Sequence, residues 1–591
     1  MKSFIPCSMQ ESGEGETNMS DQLTEAYADL IEGSYDCPDR IVLNAYFGMG
    51  HSPGGFRSWW RRLYGTDDDL DKTHLIRLAG RFSRRMKAYA VKHDIPVLYC
   101  KPGERKHLIA QKHIPKNANF CGLFLVLISR ASGLVWDVSH TQDGRIRNLA
   151  RNYRFINHYF FHIMDPVWGH VTIRMSGHPP FSANIILNGH EYVSRLAASQ
   201  GIELPKEGNC FTAIIGHINN DQTAVTSCSQ NTIGPMESVD GSPNLTQLAE
   251  TLCSSDAVGQ LRQVCDRWIY SACLHFVLPE TERLKSGFCY GYSIYQTEYS
   301  RNLLFLRGAQ MEQVFDTIID LTRSRLDIKR IKTIFGFKKR PSRKRNNTRR
   351  PREEVVIEQP SYDLTIFKIH MGPLTVKLYA KGERVLRCEA VVHNAKALGY
   401  KRALSAFPQL VQRLKDILER FLNQLHCLSH AFIADNTLDT LAEHGQVGKS
   451  RTTGIDLDKP RLRAVISAVI ALAPSPRGFT VSQLAREVRA LLGLDEDQYL
   501  PRHASYDLKK LRGKHWVHKI DKSRRYEPDL RGLKIMTALL TLREKVIKPV
   551  LAGVAKPKRG SKPIWQSDLD FQYGKVQTEM RNLFHILGVV V

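Results

Sequence analysis

The sequence predicts an α+β protein of several domains. It reads as a mixed α/β to β-rich N-terminal part, a helical middle, a small antiparallel sheet backed by a helix, and a C-terminal helix-turn-helix with a hairpin. Three observations predict this. Apolar stretches of period 2 and of period 3.6 alternate through the first third of the chain, as strands and helices in one layered domain do. A run of like charge, Lys332 to Arg352, carries no acidic residue and separates the helical middle from a set of short alternating strands. Near the C-terminus, two short amphipathic runs lie in series before a basic hairpin.

That last stretch, Ser475 to Tyr526, is the most legible. Thr480 caps a run with Leu484, Ala485, Val488 and Leu492 on one face, Gly493 stops it, and a second run, Ala504 to Leu511, follows Pro501. Gly513 ends the second helix. Trp516, Val517 and Ile520 then alternate with Lys519, Lys522, Arg524 and Arg525, as a hairpin with a basic tip would. The pattern resembles a winged helix-turn-helix over roughly 70 residues. The resemblance implies that the second helix enters the major groove and the wing touches phosphate. Arg502, Ser505, Tyr506, Lys509, Lys510 and Arg512 then form the nucleic-acid side of the helix, and Lys522, Arg524 and Arg525 that of the wing. The other reading is a winged helix that docks a protein.

Composition points the same way. With 591 residues, 42% of them hydrophobic, the chain can build three or four cores, and its formal charge of +25 concentrates polyanions around it. Nucleic acid, DNA before RNA, is the expected partner, with a homodimer possible through the helix Leu530 to Ile547. A membrane is not expected, since no apolar run approaches the 18 or so residues of a spanning helix. Twelve scattered cysteines without a C-x-x-C pair spell neither a zinc ribbon nor a disulfide framework, and a reducing cytoplasm fits them. The opening residues lack the basic and apolar regions of a secretory signal. Composition shifts divide the chain into a flexible leader (1–40), an α/β to β-rich domain (41–218), a helical domain (219–331), a basic linker or arm (332–360), a meander with its helix (361–447), the winged-helix domain (448–555) and a basic loop with a docked tail (556–591).

In the first domain, HSPGGFRSWWRRLYG sets Trp59 and Trp60 beside Arg61 and Arg62. It is either a helix that buries its tryptophans or a single-strand binding surface. Thr73 to His93 is an amphipathic helix, and IPVLYC after it reads as a buried strand. No G-x-G-x-x-G and no Walker loop is present, so a nucleotide-hydrolysing motor is not expected. Between His158 and Val193 histidines and carboxylates are dense. A divalent metal there would take His162, Asp165, His170 and Glu191; otherwise these are satisfied or exposed side chains of a β-rich domain.

The middle is expected to be helical from Leu245 to Phe276 and again from Tyr295 to Leu326. On the second helix Glu298 and Arg301, three apart, form an ion pair, or Glu298 is a catalytic carboxylate. The charge run that follows includes Lys338, Lys339, Arg340, Arg343, Lys344 and Arg345, an arm suited to phosphates.

Beyond it, DLTIFKIHMGPLTVKLYAKGERVLRCEAVVHN reads as an antiparallel meander, and Phe407 to His430 as the amphipathic helix that packs on it. The pattern K-x-Y-x-K-G, turn, L-R-x-E resembles a piece of the catalytic sheet of rolling-circle replication initiators, over about fifteen residues. In that family the glutamate helps to hold a divalent metal, and a tyrosine attacks the DNA strand. The resemblance implies that Tyr379, Lys381, Arg387 and Glu389 line an active or phosphate-binding face with Mg²⁺ or Mn²⁺. No His-hydrophobe-His motif stands immediately upstream. The other reading is a hairpin with cross-strand Lys/Glu pairs on its solvent face. The expected function is a DNA-processing protein of a mobile or plasmid-like element; the alternative is a non-catalytic regulator or a binder of structured RNA.

Overall fold

The computed structural model describes residues 21–117, 119–143, 146–213, 245–325, 332–335, 353–361, 364–371, 374–398, 400, 402–429, 437–448, 450–473, 475, 477–520 and 523–543, with short pieces between 571 and 582. Its centre is one mixed sheet of twelve strands. In chain order they are β1 (Ile31–Phe47), β2 (Val97–Tyr99), β3 (Gly122–His140), β4 (Ile146–Asp165), β5 (Gly169–Ser176), β6 (Ala183–Asn188), β7 (Tyr290–Phe305), β8 (Lys332–Phe335), β9 (Glu353–Ser361), β10 (Leu364–Met371), β11 (Leu374–Lys381) and β12 (Val385–Val392). They lie in the order β2-β3-β4-β5-β6-β1-β7-β12-β11-β10-β9-β8. Only β2–β3 and β8–β9 run parallel among these pairs.

Helices cover one side, with one exception. They are α1 (Gln22–Ala26), α2 (Pro53–Tyr64), α3 (Lys72–Lys92), α4 (Lys106–Lys112), α5 (Gly189–Ser199), α6 (Leu245–Glu250), α7 (Ala257–Trp268), α8 (Glu280–Ser286), α9 (Gly308–Arg325) and α10 (Phe407–Ser429). The exception is α4, whose Ala110 packs with Leu125 and Leu127 on the other side. Strand alternation decides which residues they meet. Ile41, Leu43, Phe161, Ile163, Val171, Ile173, Ile185 and Leu187 pass into one continuous core with Phe82 of α3, Leu261 of α7 and Leu414 of α10. Leu378, Leu386, Cys388 and Ala390 extend that core into the other half of the sheet. Trp59 and Trp60 lie in it, at 0% and 2% exposure, so the tryptophans of α2 serve packing and not a strand-binding surface.

Two sequence boundaries change. Strands from 41–218, 219–331 and 361–447 interleave, because β7 pairs with both β1 and β12. The polar stretch at 219–244 and the charge run read as linkers, but strand pairing is not local and joins what lies on either side. Residues 31–40, placed in the leader by sequence, open β1. The segment expected as one helix, Tyr295 to Leu326, is strand β7 to Phe305 and helix α9 from Gly308. Its aromatic and β-branched residues, Tyr290, Tyr292, Ile294, Thr297 and Tyr299, favour the pleat. IPVLYC supplies an edge strand, β2, with Tyr99 exposed, and not a buried one.

The C-terminal part has its own core. It holds α11 (Thr437–Leu441), the hairpin β13 (Gly445–Val447) and β14 (Ser450–Thr452), then α12 (Pro460–Leu472), β15 (Phe479–Thr480), α13 (Val481–Leu492), α14 (Pro501–Gly513), β16 (Val517–Lys519), β17 (Arg525–Pro528) and α15 (Leu530–Leu542). β15, β17 and β16 form a small antiparallel sheet in that order. Thr480 and Gln483 close a reciprocal capping box on α13, and Gly493, at φ 68°, ends it. Arg420 of α10 meets Glu527 of β17 at 2.6 Å, tying the small sheet to the large core. Among the described residues, no helix is long and apolar enough to cross a membrane.

Candidate functional site

The site lies on the sheet face opposite the main helical layer, where β1, β7, β12 and β11 run side by side. Pro38 stands opposite Tyr299 and Ile41 opposite Thr297, so two residues, Asp39 and Arg40, face the single Glu298. This bulge re-aims Asp39 toward Glu298. Glu389 lies opposite Ser300 in β7 and opposite Lys377 in β11, which makes Glu298 its diagonal neighbour. Carboxylate oxygens of Asp39, Glu298 and Glu389 all lie within 4.8 Å of one another, and among the described residues this is the one group of three metal-ligating side chains so placed.

Each carboxyl has a distinct environment. Asp39, buried, accepts from Asn209 Nδ2 at 3.0 and 2.9 Å and from Arg387 Nη1 at 3.3 Å. His190 Nδ1 stands 3.4 Å away. Burial pushes the Asp39 carboxyl up, but His190, Arg387 and Asn209 together hold it well below the usual carboxylate range. Glu389 accepts from Lys377 Nζ at 2.9 Å and from the Tyr379 hydroxyl at 3.3 Å. Burial, then the charge and hydrogen bond of Glu389, push Glu298 up to about 8, while Lys377 pulls the other way. Burial works against the Lys377 charge, yet the Glu389 and Glu298 carboxylates raise it above its ordinary value. Burial and Glu389 raise the Tyr379 phenol, so it stands as a donor.

Two neighbours organise this cluster. Arg387, fully buried, also donates to Asn302 Oδ1 at 2.6 Å and to the Asn209 carbonyl at 2.5 Å. Its Nη2 is 3.4 Å from His190 Nε2. Guanidinium can only donate, so Nε2 accepts and the His190 proton sits on Nδ1, facing Asp39. Burial pushes the His190 imidazole below its ordinary value, while Asp39 pulls it up. Gly189 permits this approach: a Cβ there would stand 1.8 Å from the Pro38 carbonyl oxygen.

The residues present fit a hard divalent cation. Every donor is a carboxylate oxygen, the set that suits Mg²⁺ and Mn²⁺. Three carboxylates face two cations, Lys377 and Arg387, and the remaining negative charge is offset by a proton on Glu298 or by a metal.

Of the residues expected at a catalytic face, Tyr379, Arg387 and Glu389 come together here. Lys381 lies farther along β11, beside Glu207, Cys210 and Arg384. Asp39 and His190 were not expected; Glu298 was, as a catalytic carboxylate or half of an ion pair with Arg301, but on a helix, whereas it lies in strand β7. The metal set expected in the histidine-rich stretch is not gathered as proposed. His162 Nδ1 lies 2.9 Å from His170 Nε2. Asp165, an odd number of residues from His162, faces the opposite side of the sheet. It accepts from Arg267 at 2.8 Å, Trp268 Nε1 at 2.7 Å and the amides of Val167 and Trp168. Glu191 pairs with Lys206.

In the C-terminal part, Arg502, Ser505 and Tyr506 of α14 and Arg524 are exposed, and Lys509, Lys510 and Arg512 half-buried. Lys510 lies over the Tyr506 ring and Arg512 over that of Tyr526, at 5.1 and 5.6 Å. Arg525 turns inward, donating to the Gly478 carbonyl at 3.0 Å. Lys522, Lys338, Lys339, Arg340, Arg343, Lys344 and Arg345 lie outside the described residues. No protein-family model, no curated sequence and no solved structure matches this chain.

Proposed function

We propose that this chain cleaves or transfers nucleic-acid strands, DNA by preference, at a divalent metal held by Asp39, Glu298 and Glu389. One observation carries the reading: three carboxylates are gathered on adjacent strands within 4.8 Å of one another, where burial and the neighbouring Glu389 raise Glu298 to about 8. A surface that only grips phosphate has no use for such a cluster, because it repels the ligand. When bound, the metal would stabilise charge on a phosphodiester oxygen. The chain's own residues do the rest. Lys377 sets a positive charge beside Glu389, where a phosphate oxygen can be received. Glu389 orients the Tyr379 hydroxyl, the nucleophile candidate nearest the cluster. His190 and Arg387 fix Asp39.

The C-terminal part supplies recognition. We infer that α13, α14 and the sheet β15-β17-β16 form a winged helix whose α14 enters the major groove, supported by the exposed basic and polar side of α14. The same unit suits the second reading, a non-catalytic regulator or RNA binder, and the carboxylate cluster favours the first.

Nucleic acid that accompanies the protein at low salt, once sequenced, supplies the substrate. Cleavage of that substrate with Mg²⁺ or Mn²⁺ is then compared for wild type, Glu389→Ala and Tyr379→Phe. Glu389→Ala should lose about 10³-fold or more in rate with binding retained, and Tyr379→Phe should lose any covalent protein–strand adduct. A wild type that binds but never cleaves, with Glu389→Ala indistinguishable from it, returns the protein to the binding class.

A further inference from the structure

We infer that the ribbon formed by β3 and β4 is a platform for single-stranded nucleic acid, gripping it by stacking on Tyr153 and Phe155. The inference rests on the nucleic-acid reading above and extends it to a second surface. β5 pairs with β4 only from His158 onward, and β2 touches β3 only at Val126 to Ile128. Ser129 to His140 and Ile146 to Asn157 therefore leave the sheet as a two-stranded ribbon. Tyr153 is 76% exposed and Phe155 70%, although large aromatics on a strand ordinarily find cover.

They share one face of the ribbon, opposite Leu134 and Ser132. Residues two apart on a strand are about 6.6–6.8 Å apart, twice the roughly 3.4 Å spacing of stacked bases, so one base fits between the two rings. The ribbon is held in place below them. Trp136 is buried, donates Nε1 to the Gly50 carbonyl at 3.0 Å and packs on Phe56 of α2 at 5.2 Å.

Charge complements the rings. From Ser129 to Asn157 the sequence has five arginines and two aspartates, with no lysine or glutamate. Arg130, Arg147 and Arg151 are exposed, while Arg154 pairs with Asp137 at 2.6 Å. Aromatic faces interleaved with arginines make up the sequence-tolerant grip on single strands. A protein partner would have no need of the excess positive charge.

The test uses the full chain with a fluorescein-labelled oligo(dT) and a duplex of equal length. Tyr153→Ala with Phe155→Ala should weaken oligo(dT) binding about tenfold or more, leave the salt slope unchanged and spare the duplex. Exchanging the two residues, Tyr153→Phe with Phe155→Tyr, should restore binding. Arg130→Ala, Arg147→Ala and Arg151→Ala together should lower the salt slope by about 2. Wild-type failure to bind oligo(dT), equal loss on both probes, or a change confined to self-association in sedimentation would each overturn the inference. Oligo(dT) binding through the two rings by a protein that never cleaves would sustain it while removing the catalytic reading.

Discussion

The carboxyl groups of Glu298 and Glu389 approach within 4.8 Å across the β7–β12 pair, the two residues offset by one pleat: Glu298 lies opposite Val391, and Glu389 opposite Ser300. Burial and the neighbouring charge raise Glu298 to about 8, whereas an unfolded glutamate titrates near 4.3. The folded state therefore holds a proton that the unfolded chain has lost, and stability falls as pH rises from about 4.3 to about 8. His158 and His162, lowered by burial to about 4 and about 3, act in the opposite sense, adding stability as pH rises toward about 6.5. Between about 6.5 and 8 the Glu298 effect stands clear of theirs. In chelator, the unfolding temperature of wild type should fall across that window. Glu298→Gln should flatten the fall, and Mn²⁺ should flatten it in wild type. An equal slope in Glu298→Gln would detach the titration from this site.

Gly189 tests how the bulge is held. An alanine there places its Cβ 1.8 Å from the Pro38 carbonyl oxygen, and β1 and α5 must part. Overpacking of this kind costs roughly 1–3 kcal/mol or more. Asp39 and His190 separate with it, so Gly189→Ala should lower both the unfolding temperature and the affinity for Mn²⁺. Gly259→Ala, on α7 with nothing within 4 Å of the new Cβ, is the matched control. It should be neutral or stabilise by up to about 1 kcal/mol.

Of the three carboxylates, Glu389 could be read from the residues on its strand, Glu298 only on a helix, and Asp39 not at all. Glu389 is visible because Arg387 and Glu389 alternate within an apolar strand, Val385 to Val392, that pairs in unbroken register with the regular Leu374 to Lys381. Asp39 is not, since Cys-Pro-Asp-Arg has the composition of a turn and only the pairing of β1 with β7 shows it to be a bulge. Glu298 is hidden differently. Its neighbours Leu303, Leu304 and Phe305, followed by the helix from Gly308, give a merged apolar pattern that suits a long helix as well as a strand. The two faces of β7 separate the roles the sequence had paired: Glu298 joins the carboxylates, while Arg301 bonds Asp36 and Asp21 on the helical side. The histidine-rich stretch misled by density alone, because type without register cannot say which side of a strand a ligand takes.

Asp507 anchors α14 from beneath. Its buried carboxylate accepts from Arg461 at 2.8 and 2.7 Å and from the Tyr499 hydroxyl at 2.8 Å. Asp507→Ala leaves that hydroxyl without its partner, a loss of about 1–3 kcal/mol. Arg461 is half exposed and can turn to water, so the ion pair adds little. Unfolding of the C-terminal part, followed by proteolysis, should come earlier in this variant while the metal-dependent signal of the large sheet is unchanged.

The groove-facing role proposed for α14 makes a quantitative demand on salt. Lys509, Lys510 and Arg512 are half-buried on the helix, Lys510 over the Tyr506 ring and Arg512 over that of Tyr526. Each phosphate neutralised by such a side chain contributes about 0.9 to the slope of log affinity against log salt on duplex DNA. Replacing all three with glutamine should weaken duplex binding and reduce the slope by about 2.7 if each meets a phosphate. Base contact would appear otherwise, as a loss confined to the specific site with the non-specific slope retained. Arg512 also covers Tyr526, so its single substitution should lower stability slightly, whereas Lys509→Gln should not. Unchanged duplex binding in the triple variant sinks the assignment of α14 to the groove and leaves the wing, with Arg524 at its tip, as the surface to test.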